Sequence, residues 1–167
     1  MQITRQITIE APSQQVWKVL GHQFHQVDRW ASSVSHSAAR IEGDAPAGAP
    51  CSGRVCETEL GPFRETLTEY DDARQVVAYE ASGEKMPFFV KGLRNRWSLK
   101  PLGSSRTRVD MHMTADLAFP FNLFMTPVMK RQMGGVLTLA TQELKHYVET
   151  GSPHPRKAAN HPTQKAA

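Results

Sequence analysis

Between residues 126 and 149 the apolar positions Met129, Met133, Val136, Leu137, Ala140, Leu144, Tyr147 and Val148 recur at steps of three and four. That spacing predicts one apolar stripe along a helix. Lys130, Arg131, Gln132, Gln142, Glu143, Lys145 and Glu149 fall between them and predict a wet face. A lone helix cannot hide such a stripe, so the rest of the chain must supply a concave surface. At the other end, Ile3, Arg5, Ile7 and Ile9 alternate with Gln2, Thr4, Gln6 and Thr8. This is the period of a strand with one buried face. APSQQVWKVL follows: Pro12 suits a first helical turn, Val16, Trp17, Val19 and Leu20 form a buried side, and Gly21 is expected to end the helix. A second short helical piece is expected over 24–31, where Phe24, Val27 and Trp30 are spaced by three.

From residue 34 the pattern changes to strands, expected near 35–42, 52–60, 63–71, 74–82, 87–100 and 105–117. The breaks are GDAPAGAP, Gly61-Pro62, Asp71-Asp72, Ser82-Gly83-Glu84 and Gly103-Ser104-Ser105. Most are of hairpin length, which predicts an antiparallel meander. The parity within strands assigns faces. Phe89, Lys91, Leu93, Asn95, Trp97 and Leu99 share one side, while Arg94, Arg96 and Ser98 turn to water. Val109, Met111, Met113 and Ala115 oppose Asp110, His112, Thr114 and Asp116, so the methionine side should meet the helix. Phe63, Glu65 and Leu67 are expected inward, although Tyr70 then falls on the wrong face.

The 167 residues fit one domain with a real core. Residues 1–150 are expected to form it and 151–167 a disordered basic tail, because the tail is rich in Pro, Ala and His and carries Arg156, Lys157 and Lys165 with no acids. Of the net charge of +4, the tail holds +3, leaving a body too even for nucleic-acid binding. His154 and His161 lack the spacing of a metal site, and no metal or cofactor is expected. Cys51 and Cys56, five apart on one expected strand, should point to opposite faces and stay unpaired, as in a reducing compartment. The N-terminus lacks the apolar run of a signal peptide. The apolar run at 117–125 is short and broken by Pro120 and Asn122, so no integral membrane segment is expected. These features favour a cytoplasmic protein.

The element order and four local motifs resemble the SRPBCC superfamily, the helix-grip or START/Bet v 1-like fold, and within it the polyketide cyclase/dehydrase and lipid-transport branch. ITIEAPSQQVWKVL, FRETLTEYD, GLRNRWSLKPLGSSRTRV and LTLATQELKHYVE carry the resemblance, which spans residues 1–149. It implies an α+β architecture: a seven-stranded antiparallel sheet wrapped around the long C-terminal helix, with two short helices after the first strand plugging one end. It also implies a cavity between sheet and helix that takes lipids, polyketides, sterols, quinones or hormones. A minority of members are cyclases or hydrolases. Two departures are the extended loop at 45–50 and the long apolar run FPFNLFMTP before the helix.

The candidate ligand-binding residues are Phe89, Leu93, Trp97, Met111 and Met113 from the sheet and Met129, Met133 and Val136 from the helix. Apolar pockets carry a few orienting polar groups, and methionine repacks easily around different guests. Core filling is the competing role for each. Glu65, Lys91 and Asn95 lean inward, where a charge must be paired; Glu65 and Lys91 would pair with each other or hold a ligand head group. Gly134-Gly135 inside the helix costs about 1 kcal/mol per glycine, which calls for a close sheet approach or space for a guest. The run Phe119, Phe121, Leu123, Phe124, Met125 reads as a gate, a membrane-touching lip or, preferably, a connection packed on the core. His22, His25, His36, His112 and His146 are scattered, and no nucleophile elbow, phosphate loop or HExxH is present, so no catalytic residue is named. The reading is a binding protein for a small hydrophobic ligand, with a weak homodimer as a possible assembly. An enzyme of the cyclase/dehydrase kind with a cavity carboxylate (Glu65, or Tyr79 as acid or base) and a cochaperone-like interaction module with a filled core are the alternatives.

Overall fold

The computed structural model describes residues 1–160. Strand β1 (Gln2–Ile9) leads into α1 (Ser13–Trp17), a π-helical turn (Lys18–His22) and a 3-10 segment (Phe24–Arg29). Six strands follow: β2 (Val34–Arg40), β3 (Gly53–Thr58), β4 (Gly61–Asp71), β5 (Val76–Gly83), β6 (Val90–Pro101) and β7 (Thr107–Leu117). Helix α2 (Phe121–Thr150) and a short α3 (Pro155–Asn160) complete the described residues. The sheet order is β1-β7-β6-β5-β4-β3-β2, antiparallel throughout. The meander thus runs from β2 to β7, and β1 returns to pair with β7. This is the helix-grip architecture that the family resemblance implied. No helix among the described residues is long and apolar enough to cross a membrane.

The period-two patterns are realised face by face. Val109, Met111, Met113 and Ala115 of β7 are all buried, and Ile3 and Ile9 of β1 join them in the core. Trp17, Val16, Leu20, Phe24 and Val27 from the short helices close one end of the sheet, and Leu137, Leu144 and Val148 of α2 press onto the same cluster. Gly21 does not end the first helix, as the sequence suggested. It sits inside the π-helical turn, where a Cβ would lie 2.4 Å from the Trp17 ring.

Two bulges correct the parity reading. In β4 the register against β5 shifts between Leu67 and Glu69. The extra residue turns the strand over, so Phe63, Glu65 and Leu67 lie inward before it and Tyr70 is buried after it. In β6 the register against β7 shifts between Val90 and Gly92. Leu93, Asn95, Trp97 and Leu99 keep the inward side, but Lys91 falls at the shift and is exposed, not paired with Glu65. Phe89 precedes the strand and stacks on Phe121 at 5.0 Å between centroids.

Helix α2 is longer and less uniformly packed than its stripe predicted. It begins at Phe121, so the apolar run placed at the strand-to-helix connection forms its first turns instead, and Phe119, Leu123, Phe124 and Val128 are exposed rather than packed on the core. From Leu137 onward the helix is seated on the sheet. Glu143, assigned to the wet face, is only 2 % exposed. Arg5 explains one of the two helical glycines: its Nη2 donates to the Gly134 carbonyl at 3.0 Å and its Nε to Thr138 Oγ1 at 2.8 Å. A Cβ at Gly134 would stand 2.6 Å from that nitrogen, whereas nothing lies within 4 Å of one at Gly135.

The expected disordered tail is structured over part of its length. Lys157 of α3 is buried and its Nζ donates to the Val34 carbonyl, while Arg156 lies 3.5 Å from Glu143. Two basic side chains thus find acceptors on the body, which composition alone could not reveal. His161 and Lys165 lie outside the described residues. Cys51 and Cys56 are both buried and free; Cys51 precedes β3 and does not share a strand with Cys56.

Candidate functional site: a hollow beneath the long helix

The sheet curves away from the first half of α2, and the space between them divides into three adjoining chambers. The first, about 160 Å³, is lined by Leu20, Phe24, Trp30, Val77, Tyr79 and Trp97 among others. The second, about 410 Å³, lies among Val34, Leu60, Phe63, Leu93 and the helix residues Val136, Leu139 and Ala140. The third, about 140 Å³, is bounded by Met1, Met86, Val90, Leu93 and Met129. Met133 faces all three. The second chamber alone falls within the roughly 300–1,000 Å³ of small-molecule sites.

The candidate residues divide as follows. Trp97, Met111 and Met113 line the first chamber, Leu93 the second and third, Met129 the third, and Val136 the first two. Glu65 and Asn95 stand at the seam between the first two. Phe89 and Lys91 border none of the three. Leu139 and Leu60, both exposed apolar side chains, rim the second chamber on opposite walls.

The polar pole of the hollow is built by strand pairing. Arg54 of β3 lies opposite Glu65 of β4, and Tyr79 of β5 opposite Asn95 of β6. Arg54 Nε donates to Glu65 Oε2 at 2.5 Å, its Nη1 donates to the Phe24 carbonyl, and its guanidinium lies 4.0 Å above the Phe24 ring. Tyr79 also faces it, with the ring centroid 5.2 Å away. Burial opposes the Arg54 charge, yet Glu65 and then Tyr79 hold its pKa above the ordinary arginine value. Burial, assisted by Glu65, pushes the Tyr79 phenol well up, and burial raises the Cys56 thiol to about 11. A flat cation laid against two aromatic rings and paired with a carboxylate keeps a buried charge compensated beside an apolar hollow. Arg54 was missed from sequence because an arginine on a strand reads as solvent-facing. The signal that remained was Glu65 on an inward parity, which needs a cation.

A second polar cluster closes the far rim. Glu143 of α2 accepts from the Ser32 backbone N–H at 2.8 Å and the Ser32 hydroxyl at 2.6 Å. Ser32, Glu143 and Asn160 of α3 all line the second chamber. Among the described residues no group of three or more His, Cys, Asp or Glu is placed to hold a metal.

The family model described as polyketide cyclase/dehydrase and lipid transport matches residues 1–149. No curated protein matches the sequence. Solved structures with a similar fold include a START superfamily protein from Mycobacterium smegmatis, with a TM-score of 0.70 and 15 % identity over 90 % of this chain and 99 % of that one. Norcoclaurine synthase from Thalictrum flavum is similar at a TM-score of 0.67 and 13 % identity, over 90 % and 94 % of the two chains. The di-domain ARO/CYC BexL of the BE-7585A biosynthetic pathway follows at 0.69 and 10 %, over 88 % of this chain and 47 % of that longer one. At these identities the likeness concerns the fold.

Proposed function

Since the chain belongs to the polyketide cyclase/dehydrase and lipid-transport family, we propose that it binds a small hydrophobic molecule in the hollow between sheet and α2 and holds or carries it there. The observation that carries this reading is the second chamber: an apolar space with helix residues on one wall, sheet residues on the other and an ion pair at its seam. Each Å² of apolar ligand surface removed from water there contributes roughly 25 cal/mol. Two buried free thiols accord with a reducing setting such as the cytoplasm.

The test has two arms. Mass spectrometry of an organic extract of freshly purified protein should show a copurifying lipid, polyketide or quinone-like molecule. Fluorescence titration with N-phenyl-naphthylamine should show saturable binding that Met133→Trp abolishes while the circular dichroism spectrum is retained. No copurifying molecule and no probe binding by the wild type would remove the reading.

A second reading, an enzyme of the cyclase/dehydrase type, rests on one observation. Glu65 brings a carboxylate to the chamber wall within a cluster that also holds Tyr79. It requires a substrate consumed by the wild type and spared by Glu65→Gln.

A further inference from the structure

The first turns of α2 and the connection between β5 and β6 share an apolar surface that the core does not use. Phe88 packs edge-on against Phe121 with ring centroids 5.2 Å apart, and Phe89 stacks on the same ring. The two segments are thereby joined. Around this junction Phe88, Phe119, Leu123 and Phe124 are between 62 % and 78 % exposed, and none of them belongs to the core cluster. Apolar side chains gathered in this way mark a contact surface.

Their surroundings say what covers them. Leu123 and Phe124 are each followed seven residues later by an exposed cation, Lys130 and Arg131, roughly 10 Å further along the helix. Lys85 and Lys91, also exposed, flank Phe88 on either side. Residues 117–142 contain no Asp or Glu. On the neighbouring segments Asp116 is held by Arg94 at 3.0 Å, which leaves Glu59 and Glu84.

An apolar tip backed by cations matches the layering of an anionic bilayer surface, where rings enter the acyl boundary by about 5–10 Å and cations stay among the phosphates. A second copy of the chain fits less well, because a twofold contact would set the same cations against one another. The patch also adjoins the hollow. Lys85, Met86 and Pro87 wall the third chamber and lead directly into Phe88, while Met129 walls it from α2.

We infer that this face is a peripheral membrane-docking surface: Phe88, Phe119, Leu123 and Phe124 enter the acyl boundary of an anionic bilayer, and Lys85, Lys91, Lys130 and Arg131 meet the lipid phosphates. Docked in this way, the chain lies on the bilayer without crossing it and turns the third chamber toward lipid. The inference goes beyond the cavity-binding reading and does not depend on which guest the hollow holds.

The test is flotation of the full chain with vesicles of two parts phosphatidylcholine to one part phosphatidylserine. These should carry the protein upward, and vesicles of phosphatidylcholine alone, or high salt, should carry much less. The double variant Phe88→Ser, Phe124→Ser should keep its circular dichroism spectrum and partition about tenfold more weakly or worse. Lys130→Gln should weaken partition about fivefold. No flotation with the anionic vesicles, equal flotation with both lipid mixtures, or flotation that a folded phenylalanine variant leaves unchanged overturns the inference. A dimer in analytical ultracentrifugation that the phenylalanine substitutions dissolve, with no vesicle binding, overturns it in favour of a second copy. Each of these failures leaves the cavity reading in place. The comparison of lipid mixtures on the wild type stands even if a variant fails to fold.

Discussion

Glu143, in the C-terminal half of α2, accepts two hydrogen bonds from Ser32, one from its backbone N–H and one from its hydroxyl, across 111 residues of sequence. The pair ties the turn before β2 to α2 at the rim of the second chamber, and Arg156 adds a third contact from α3 at 3.5 Å. A buried carboxylate on an otherwise ordinary helix face thus acts as the clasp that holds the plug, the helix and the C-terminal segment together.

Replacing that clasp should be felt throughout. Glu143→Gln keeps the shape but loses the charge-assisted character of both bonds, so it should cost about 1–3 kcal/mol. Urea unfolding followed by circular dichroism should show a lower midpoint with an unchanged slope.

The Arg54–Glu65 pair predicts strong non-additivity. Glu65→Gln leaves the guanidinium without its carboxylate partner and should destabilise by about 3–5 kcal/mol. The double variant Arg54→Met, Glu65→Leu should recover most of that loss, because neither charge remains to be compensated. Denaturant midpoints for Arg54→Met, Glu65→Leu and the double variant give the coupling directly.

Two adjacent helical glycines should respond differently to the same change. Gly135→Ala meets open space and should stabilise by up to about 1 kcal/mol, raising Tm by about 2–4 °C for a domain of this size. Gly134→Ala gains the same helix propensity but must displace Arg5, which donates to the Gly134 carbonyl. Its Tm should fall short of that of Gly135→Ala in calorimetry.

The thiols predict a pH signature. Burial raises Cys56 from an ordinary 9.0 to about 11, and Cys51 moves in the same direction. A raised folded pKa keeps its stabilising contribution below pH 9 and loses it as pH climbs toward 11. Native protein at pH 8 should therefore react with dithionitrobenzoate only slowly, and promptly after denaturation. Chemical stability should decline between about pH 9 and 11, and a Cys56→Ala variant should show a shallower decline.

Much of the architecture was already written in local pattern. Alternation of period two marked β1 and the inward side of β7, and the spacing of Leu137, Leu144 and Val148 marked the seated half of α2, because each periodicity is a property of one element alone. Single-residue bulges lay outside that pattern: whether Tyr70 faces inward depends on how β4 pairs with β5, and Lys91 is thrown outward by the pairing of β6 with β7. The polar clusters were hidden for the same reason. A glutamate at position 143 or an arginine at position 54 reads as a solvated side chain until a partner is brought to it, and Ser32 and Glu65 are brought there by strand register and helix docking. Sequence alone determined the order of elements and which faces are apolar, since those follow from each residue's affinity for water and its place in a local repeat. Only the tertiary structure decided which charges are buried and where the hollow lies, because both depend on contacts between residues far apart in the chain.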